Sequence, residues 1–166
     1  MDFTNLSNQY FVRKLDSKDV PDLLALCSKN DLYYRYCPPF VCEQSLLQDM
    51  QALPPSKTQD DKYYLGFFDE NKLIAVMDLI MAYPDEHTAF IGFFMTDVSV
   101  QNAGIGSQII EDLCRNLTEI GMKSVRLGWV QGNAQAEHFW HKNGFCETGV
   151  SYDTDAYTVT VAQRRL

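Results

Sequence analysis

The sequence feature that most constrains the fold is an apolar strand that runs through a glycine-containing turn into an amphipathic helix. The strand is predicted over Thr88–Val98, where the run AFIGFFM is apolar on both faces and is typical of a central strand. The helix is predicted over Ser107–Ile120, with apolar residues at helical spacing and Gly121 placed to end it. The turn Gln101–Gly106 joins them. A strand and a helix connected in this way indicate a sheet that is covered by helices.

Hydrophobic periodicity places further strands and helices along the rest of the chain. Strands are predicted over Tyr10–Leu15, Lys62–Phe68, Leu73–Tyr83, Lys123–Val130, Phe145–Val150 and Ala156–Ala162. Helices are predicted from a cap at Ser17 or Asp19 to Cys27, over Cys42–Leu53 and over Ala134–Asn143, and the proline-containing stretch Tyr33–Phe40 is predicted to be a link. This order of elements predicts a mixed sheet packed by helices.

Length and charge limit the classes of protein to which the chain can belong. Its 166 residues are expected to form a single domain over 1–166, and a net charge of −8 disfavours binding to nucleic acid or to an anionic membrane. The N-terminus lacks a secretory pattern and no stretch is apolar for long enough to span a membrane, so a cytoplasmic location is expected. The odd number of cysteines, 5, indicates reduced thiols, and their spacing predicts no metal site.

The turn Gln101–Gly106 has the composition of an anion-binding site. Its glycines, Gly104 and Gly106, allow the backbone to approach a ligand closely, and the free N–H groups of the helix start favour a diphosphate. Ser107 adds a hydroxyl donor, but it follows Gly106 without the lysine of a Walker loop. The dinucleotide fingerprint also fails, because Ile109 occupies the place of its third glycine. From the glycines alone, a turn that only makes a tight connection between strand and helix, without binding a ligand, remains an alternative.

A second motif follows the strand predicted over Lys123–Val130. It reads NAQAEHFWHKNGF, from Asn133 to Phe145. With the pattern Gln101-x-x-Gly104-x-Gly106, this block resembles the GNAT N-acetyltransferase superfamily, whose cofactor motif is Arg/Gln-x-x-Gly-x-Gly/Ala. The positions of the second motif that match are Asn133, Ala136, Trp140, Gly144 and Phe145. The two motifs and the connecting strand extend from Phe94 to Phe145, and the order of elements agrees over nearly the whole chain.

The resemblance implies a GNAT-like acyl-CoA N-acyltransferase fold of the α/β (α+β) class. Its sheet would be mixed but mostly antiparallel, with about six to seven strands and helices on both faces. The fourth and fifth strands would splay apart to admit the pantetheine arm of acetyl-CoA. The implied cofactor-binding residues fall into three groups. The main chain of Phe94, Met95 and Thr96 would pair with the pantetheine amides, and Asn133, with Trp140, would lie on the opposite wall. The pyrophosphate would be held by the amides of Gln101, Asn102, Ala103, Gly104, Ile105, Gly106 and Ser107. Core packing is the alternative for the side chains of Phe94 and Met95.

Two positions depart from the family pattern. Trp140 stands where many members carry a tyrosine as general acid, and an indole cannot protonate a leaving thiolate. Gly128 stands where members that modify ribosomal protein termini carry a glutamate. Candidate replacements for the acid are His141 and Tyr152, each with a surface or core role as the alternative. Because a thiol has a pKa of only about 8.5, loss of the acid is expected to slow turnover rather than abolish it.

Transfer to an amine also requires a base and a donor to the oxyanion. A protonated alkylamine, with a pKa of about 10, must lose a proton before it attacks the thioester. Asp78 is the first candidate base, because it interrupts an apolar run in which burial would raise its pKa. Its alternative is pairing with a backbone group or a cation, and Asp97 is the second candidate. A backbone N–H near Met95 or Thr96 is expected to stabilise the oxyanion.

An aromatic cluster between the first two predicted helices is the candidate acceptor region. It contains Tyr33, Tyr34, Tyr36 and Phe40, and it falls where family members often shape the acceptor pocket. An aromatic, acidic pocket would suit a cationic amine. Ordinary packing of a loop onto the sheet is the alternative.

The hypothesis from the sequence is an acetyl-CoA-dependent N-acetyltransferase that acts on an amine of a small molecule or a peptide. A non-catalytic acyl-CoA-binding sensor or interaction module with the same fold is the alternative. A nucleotide-binding protein is disfavoured by the missing Walker lysine and fingerprint glycine. Exposed aromatic residues and the terminal strand are compatible with a homodimer.

Overall fold

The computed structural model describes residues 6–166, and one mixed sheet runs through them. Its strands are β1 (Phe11–Lys14), β2 (Lys62–Asp69), β3 (Lys72–Ile80), β4 (Thr88–Thr96), β5 (Ser124–Val130), β6 (Cys146–Asp153) and β7 (Thr158–Arg165). Their order is β1-β2-β3-β4-β5-β7-β6, and every pair of neighbours is antiparallel except β4 and β5. The expected mixed, mostly antiparallel sheet is therefore confirmed, with 7 strands.

Helices cover both faces of the sheet. They are α1 (Val20–Cys27), α2 (Asp31–Tyr36), α3 (Glu43–Gln51), α4 (Ile105–Glu119) and α5 (Ala134–Lys142), with short 3-10 turns at Ser17–Asp19 and Val98–Val100. Leu23 of α1 and Leu46 of α3 pack with Val76 of β3 on one face. Ile110 of α4 and Trp140 of α5 belong to the apolar cluster on the other face. Removal of these side chains from water holds the layers together.

The first helix begins directly after Asp19, one of the two predicted caps, although the Asp19 side chain makes no capping bond to that helix. Asp16, rather than Ser17 or Asp19, caps the preceding 3-10 turn, because its carboxylate accepts the N–H of Lys18 and Asp19 accepts the N–H of Asp16 in return. Helix α1 then starts at Val20, with a proline in its first turn. The reciprocal pair of bonds satisfies N–H groups that the helix start leaves without carbonyl partners.

Helix α2 occupies part of the stretch that the sequence predicts to be a link. The prolines of that stretch, Pro38 and Pro39, follow the end of the helix at Tyr36 and do not interrupt it. The ring of Tyr33 packs edge-on against Phe93 of β4, with 5.6 Å between ring centroids. A helix this short depends on such tertiary packing, which local propensity does not reveal.

The last hairpin is longer than predicted. Strand β6 continues to Asp153, where the sequence predicts an end at Val150, and β7 begins at Thr158. Gly149 has a φ of 80° and lies within a register shift, so that pairing resumes on the far side of the irregularity. Tyr152 is consequently a strand residue.

Strands β4 and β5 separate part-way along their length. Their pairing runs from Thr88 with Ser124 to Ile91 with Leu127 and then stops, although both strands continue. The pairing of β3 with β4 has a register shift next to Asp78, at about the position along β4 where its pairing with β5 stops. The expected splay between the fourth and fifth strands is present.

The structure also bears on the state of the cysteines, on metal binding and on membrane-spanning segments. The cysteines at positions 27, 37, 42, 114 and 146 are free thiols. Between residues 6 and 166, no group of three or more His, Cys, Asp or Glu side chains is arranged to hold a metal ion. None of the helices in that range has the length and apolar character that crossing a membrane requires.

Candidate active site

The gap between β4 and β5 opens into a cavity of about 510 Å³. Gly92 to Thr96 form the wall on β4, and Gly128 to Val130 form the wall on β5. The start of α4 and one side of α5 line the cavity on one face of the sheet, and α2 and the last hairpin line it on the other. A ligand in this cavity would therefore pass through the sheet.

The start of α4 supplies unpaired N–H groups to the cavity. Gly104 precedes the helix with a φ of 82°, a left-handed conformation that favours glycine, and no side chain caps the helix. The N–H of Gln108 donates to the carbonyl of Gly104 at 3.0 Å. The N–H groups of the three residues before it, Ile105, Gly106 and Ser107, lie too early in the helix to reach a helical carbonyl. These groups and the helix dipole favour an anion.

Most of the turn predicted to hold a diphosphate lies on the cavity wall. The residues that line the cavity are Gln101, Asn102, Gly104, Gly106 and Ser107, whereas Ala103 and Ile105 do not line it. A β-carbon on Gly106 would lie 3.2 Å from the ring of Phe139 and 3.6 Å from Thr96. Glycine at this position therefore lets the helix start pack closely against the cavity wall.

Gln101 ties the turn to two other segments through its side chain. Its amide nitrogen donates to Asn30 Oδ1 at 2.8 Å and to the carbonyl of Thr96 at 3.3 Å. Asn30 donates to the same carbonyl at 3.2 Å. The three residues fix the end of β4 beside the turn. No local pattern marks Asn30 in the sequence, because the contact joins residues far apart in the chain.

Successive residues of β4 direct their peptide N–H and C=O groups alternately towards the cavity and towards β3. The N–H of Asp97 donates to Ile74 on β3 at 2.8 Å, and alternation along the strand then turns the peptide groups of Phe94 and Thr96 towards the gap. The bonds that Thr96 accepts from outside the sheet agree with this direction. Met95, predicted to pair with a ligand and to supply an oxyanion N–H, directs its peptide N–H to β3 by the same alternation.

Asn133 and Trp140 line the opposite wall and are held by interactions of their own. Asn133 is buried and caps α5, accepting the N–H of Ala136 at 3.2 Å. Trp140 is 8% exposed and its ring packs against Phe94 and Phe145, with centroids 6.0 and 5.1 Å away. Trp140 thus forms part of the packed support beneath the cavity wall.

Asp78, the first candidate base, does not line the cavity. Its Oδ2 lies 2.8 Å from Nζ of Lys62, which is 2% exposed and also donates to the carbonyl of Ala52 at 2.8 Å. Burial raises the pKa of Asp78, and the Lys62 ammonium opposes that rise. Oδ2 would be 2.7 Å from a β-carbon on Gly92, so the ion pair lies directly behind the cavity wall. Asp78 is therefore a carboxylate paired with a cation, which is the alternative to its role as a base.

Asp97, the second candidate base, also lies outside the cavity wall. It accepts hydrogen bonds from Ser99 and lies 3.3 Å from Nζ of Lys29 and 3.6 Å from Nζ of Lys72. Burial raises the pKa of Asp97, but the bonds from Ser99 and Lys29 outweigh it and lower the pKa to about 2. A carboxylate so strongly held as an anion is a poor proton acceptor, and neither aspartate is assigned as the base.

An aromatic lobe forms the end of the cavity beside α2 and the last hairpin. We define it by six residues that line the cavity: Tyr33, Cys37, Phe90, Phe93, Tyr152 and Tyr157. Tyr34, Tyr36 and Phe40 of the predicted acceptor cluster are not on the wall, and Tyr34 packs instead towards Phe40 at 5.1 Å. Of the predicted cluster only Tyr33 lines the cavity, whose aromatic wall is otherwise formed by other residues. Among the described residues none that lines it is Asp or Glu, so the pocket is not acidic as expected.

A hydrogen bond closes one side of the aromatic lobe. The thiol of Cys37 donates to the hydroxyl of Tyr157 at 3.2 Å and so connects the end of α2 to the last hairpin. Phe90 packs edge-on against Tyr83, with centroids 5.5 Å apart. Sequence patterns did not single out Cys37, Phe90 or Tyr157, because only the sheet order β5-β7-β6 brings the hairpin next to α2.

Comparison with known proteins identifies the family. The family model described as the acetyltransferase (GNAT) family matches residues 29–145, which include the splayed strands, the turn and α5. The chain belongs to the GNAT acetyltransferase family. A comparison with curated protein sequences finds no match.

Solved structures of GNAT acetyltransferases have the same fold at low sequence identity. An acetyltransferase from Thermus thermophilus is 18% identical, with a TM-score of 0.77 over 95% of this chain and 97% of that one. A Salmonella typhimurium acetyltransferase, described as modifying the N-terminal serine of ribosomal protein L7/L12, is 20% identical, with a TM-score of 0.76 over 97% of each chain. The PaiA N-acetyltransferase of Thermoplasma acidophilum, solved with coenzyme A, is 16% identical, with a TM-score of 0.69 over 95% and 99%.

Within the GNAT acetyltransferase fold, one of the two departures noted in the sequence, Gly128, lies close to the hydroxyl group of Tyr152. A β-carbon on Gly128 would lie 2.6 Å from Val159 and 3.9 Å from Oη of Tyr152. Burial, and then the neighbouring Tyr83 and Cys37, raise the pKa of Tyr152. His141, the other candidate acid, packs on Trp129 and is not on the cavity wall. Tyr152 is therefore the better placed of the two candidate acids.

Proposed function

We propose that this acetyltransferase uses acetyl-CoA to acetylate a primary amine of a small molecule or a peptide. The observation that carries the proposal is the placement of the free N–H groups of Ile105, Gly106 and Ser107 beside the gap between β4 and β5. A helix N-terminus of this kind suits a diphosphate, and the gap suits the arm that joins a diphosphate to a thioester. The Salmonella neighbour, described as modifying a protein N-terminus, supports a peptide as one acceptor class.

Donor binding is proposed to use both sides of the gap. The N–H and C=O of Phe94 and the N–H of Thr96 face it and can pair with amides of the donor arm, whereas the carbonyl of Thr96 is held by Gln101 and Asn30. Lys142 and His138 of α5 line the cavity, and the Lys142 ammonium favours an anionic ligand on that side. Gln101 supports this arrangement by holding the end of β4.

The proposed reaction is a direct transfer. The amine nitrogen attacks the thioester carbonyl, a C–N bond forms, and the C–S bond breaks to leave the thiolate of coenzyme A. The N–H groups of Phe94 and Thr96 are the candidates to stabilise the oxyanion. The hydroxyl of Tyr152 carries its proton at neutral pH, as an ordinary tyrosine does, and is proposed to give it to the sulfur. The acceptor nitrogen loses two protons to solvent, one before the attack and one after the C–N bond has formed, and Tyr152 regains one proton from solvent.

The test is an assay of thiol release from acetyl-CoA over a panel of amines, with products identified by mass. The proposal predicts release of coenzyme A that depends on the amine, together with an amine heavier by one acetyl group. Binding of acetyl-CoA by calorimetry without thiol release for any amine would contradict it and favour the non-catalytic acyl-CoA-binding alternative. No binding of acetyl-CoA would contradict both.

A further inference from the structure

We infer that the acceptor is a weakly basic amine attached to an aromatic or large apolar group, and that this group is held in the aromatic lobe. The inference rests on the proposed function and specifies its substrate class. A primary alkylamine as basic as a lysine side chain is, on this inference, a poor acceptor. Both the shape of the lobe and the proton chemistry of its wall support this substrate class.

The lobe offers aromatic surface from three separate elements. Tyr33 of α2 and Phe93 of β4 pack edge to face with 5.6 Å between centroids, and both line the cavity. Phe90 adds a ring from β4, and Tyr152 and Tyr157 add rings from the last hairpin. Rings that converge from several directions suit a flat or bulky apolar group, which gains from leaving water and from ring-to-ring contact.

The polar groups of the lobe are proton donors at neutral pH. Burial, followed by the neighbouring Cys37, raises the pKa of Tyr33 well above its usual value. The bond to Cys37 and burial raise the pKa of Tyr157 to about 12, and burial raises that of Tyr152. These hydroxyls are therefore protonated and able to donate to a lone pair or to a leaving sulfur. Among the described residues, an incoming ammonium group would find neutral hydroxyls but no carboxylate on the cavity wall, so its charge would lack a counter-ion there.

Asp49 of α3 acts on the pKa of the lobe residue Tyr157 but does not line the cavity, and three other carboxylates around the gap are occupied by other partners. Asp78 is paired with Lys62 behind Gly92, and Asp97 is held by Ser99 and two lysines. On the hairpin, Asp153 accepts a bond from the hydroxyl of Thr158 at 2.6 Å. Each of these three anionic groups is neutralised or hydrogen-bonded where it lies. An amine that arrives with its lone pair free needs none of them.

The protonation of the amine then decides which acceptors react. At pH 7 an α-amine, with a pKa of about 7.7–8.0, is neutral in roughly one molecule in ten, whereas an amine like that of lysine is neutral in roughly one in 2,500. Moving the charged form into an apolar lobe is unfavourable. A lobe of rings and hydroxyls therefore selects amines whose basicity is lowered, for example by an adjacent carbonyl.

Four primary amines test separately whether the acceptor needs an aromatic ring and whether it needs a lowered basicity. Phenylalaninamide and phenethylamine carry the same ring and differ in the carboxamide that lowers amine basicity. Alaninamide keeps the carboxamide and lacks the ring, and Nα-acetyl-lysinamide presents a basic alkylamine. The ratio kcat/KM is measured for each at saturating acetyl-CoA between pH 6.5 and 9.

At pH 7 the inference predicts that phenylalaninamide exceeds each of the other three by at least about tenfold. Its lead over phenethylamine should narrow by about tenfold or more between pH 7 and 9, because the neutral fraction of an alkylamine with a pKa of about 10 rises nearly a hundredfold over that range, whereas that of phenylalaninamide rises far less. Equal or faster acetylation of either alkylamine at pH 7, or a lead that does not change with pH, overturns the inference and leaves the proposed function standing. No acetylation of any amine, with acetyl-CoA still bound, overturns both.

A matched pair of variants tests the assignment of the ring to the lobe. Phe93→Leu removes a ring from the lobe, and Phe11→Leu makes the same change on β1, at the far edge of the sheet, where Phe11 is 56% exposed. Phe93→Leu should reduce the preference for phenylalaninamide over alaninamide by about fivefold and leave KM for acetyl-CoA unchanged. Phe11→Leu should change neither. An unchanged preference in a Phe93→Leu protein with normal Tm overturns the assignment.

Discussion

The hydroxyl of Tyr152, on the last hairpin, lies beside Gly128 of β5. A β-carbon on Gly128 would lie 3.9 Å from Tyr152 Oη. Both residues line the cavity where β5 has separated from β4. Glycine at position 128 makes room for Val159, 2.6 Å from the same β-carbon, and the hydroxyl of Tyr152 beside it on the cavity wall supports the assignment of Tyr152 as the proton donor.

Substitution of Tyr152 tests that assignment. Tyr152→Phe keeps the ring and removes the proton, so kcat is expected to fall by about tenfold to a hundredfold, with KM for acetyl-CoA unchanged. The loss is expected to be partial, because a thiolate with a pKa of about 8.5 can leave without an acid. Tyr36→Phe is the control, since Tyr36 is not on the cavity wall. Equal kcat in both variants would remove Tyr152 from the mechanism.

Trp140 is expected to be structural. It is 8% exposed among Phe94, Phe139 and Phe145, and a tyrosine there would leave part of that space empty. Trp140→Tyr should lower Tm by several degrees and should not raise kcat, although it restores the residue type common in the family. Steady-state kinetics and thermal unfolding of the variant check this. A rise in kcat of tenfold or more would show that position 140 can supply the acid.

The buried ion pair of Lys62 and Asp78 should show its effect in the free energy of unfolding. Lys62→Met leaves the Asp78 carboxylate buried without its cation, which is expected to cost about 3–5 kcal/mol. Burial raises the pKa of Asp78, and loss of Lys62 should raise it further. A carboxyl whose pKa is raised in the folded state destabilises the fold as pH rises and the group ionises. Lowering the pH from 8 to 5 protonates Asp78 in the variant, so the difference in free energy of unfolding between the variant and the parent protein should shrink.

Denaturant unfolding at the two pH values measures this deficit. Lys57→Met provides a control, because Lys57 forms an ion pair with Asp61 in the turn before β2, outside the buried pair. A deficit that stays constant between pH 8 and pH 5 would contradict the described role of Asp78.

Asp97 should stabilise the fold in the opposite pH direction. Its folded-state pKa of about 2 lies below the ordinary value of 3.8, so its contribution is present above 3.8 and is lost as pH falls towards 2. Asp97→Asn is expected to cost about 1.5–3 kcal/mol at pH 7 and little near pH 2. Chemical denaturation across this range provides the measurement. A loss that persists at pH 2 would mean that Asp97 stabilises the fold by packing rather than by its charge.

The place in the fold of the turn proposed to bind the donor could be predicted from the sequence, because its parts are adjacent in the chain. The turn with Gly104 and Gly106 lies directly between a strand and its helix, and Asn133 caps the next helix. Local spacing is enough to place such groups. Helix starts and strand ends differ from prediction by a few residues, as at α4, which begins at Ile105 instead of Ser107.

The acceptor side could not be predicted, because it is assembled from distant parts of the chain. Cys37 meets Tyr157 only because β7 lies between β5 and β6, and Asn30 meets Gln101 only because α2 packs at the end of β4. The apolar surroundings of Asp78 were visible in the sequence, but its pairing with Lys62 across β2 and β3 was not. Tertiary contacts therefore decided which carboxylates were free to react.

The central claim is that backbone N–H groups at the start of α4 bind the diphosphate of coenzyme A. Isothermal titration calorimetry of the purified protein with coenzyme A and with pantetheine, which lacks the diphosphate, tests it most directly. We expect coenzyme A to bind at least about a hundredfold more tightly than pantetheine. Equal affinities, or no binding of coenzyme A, would contradict the claim.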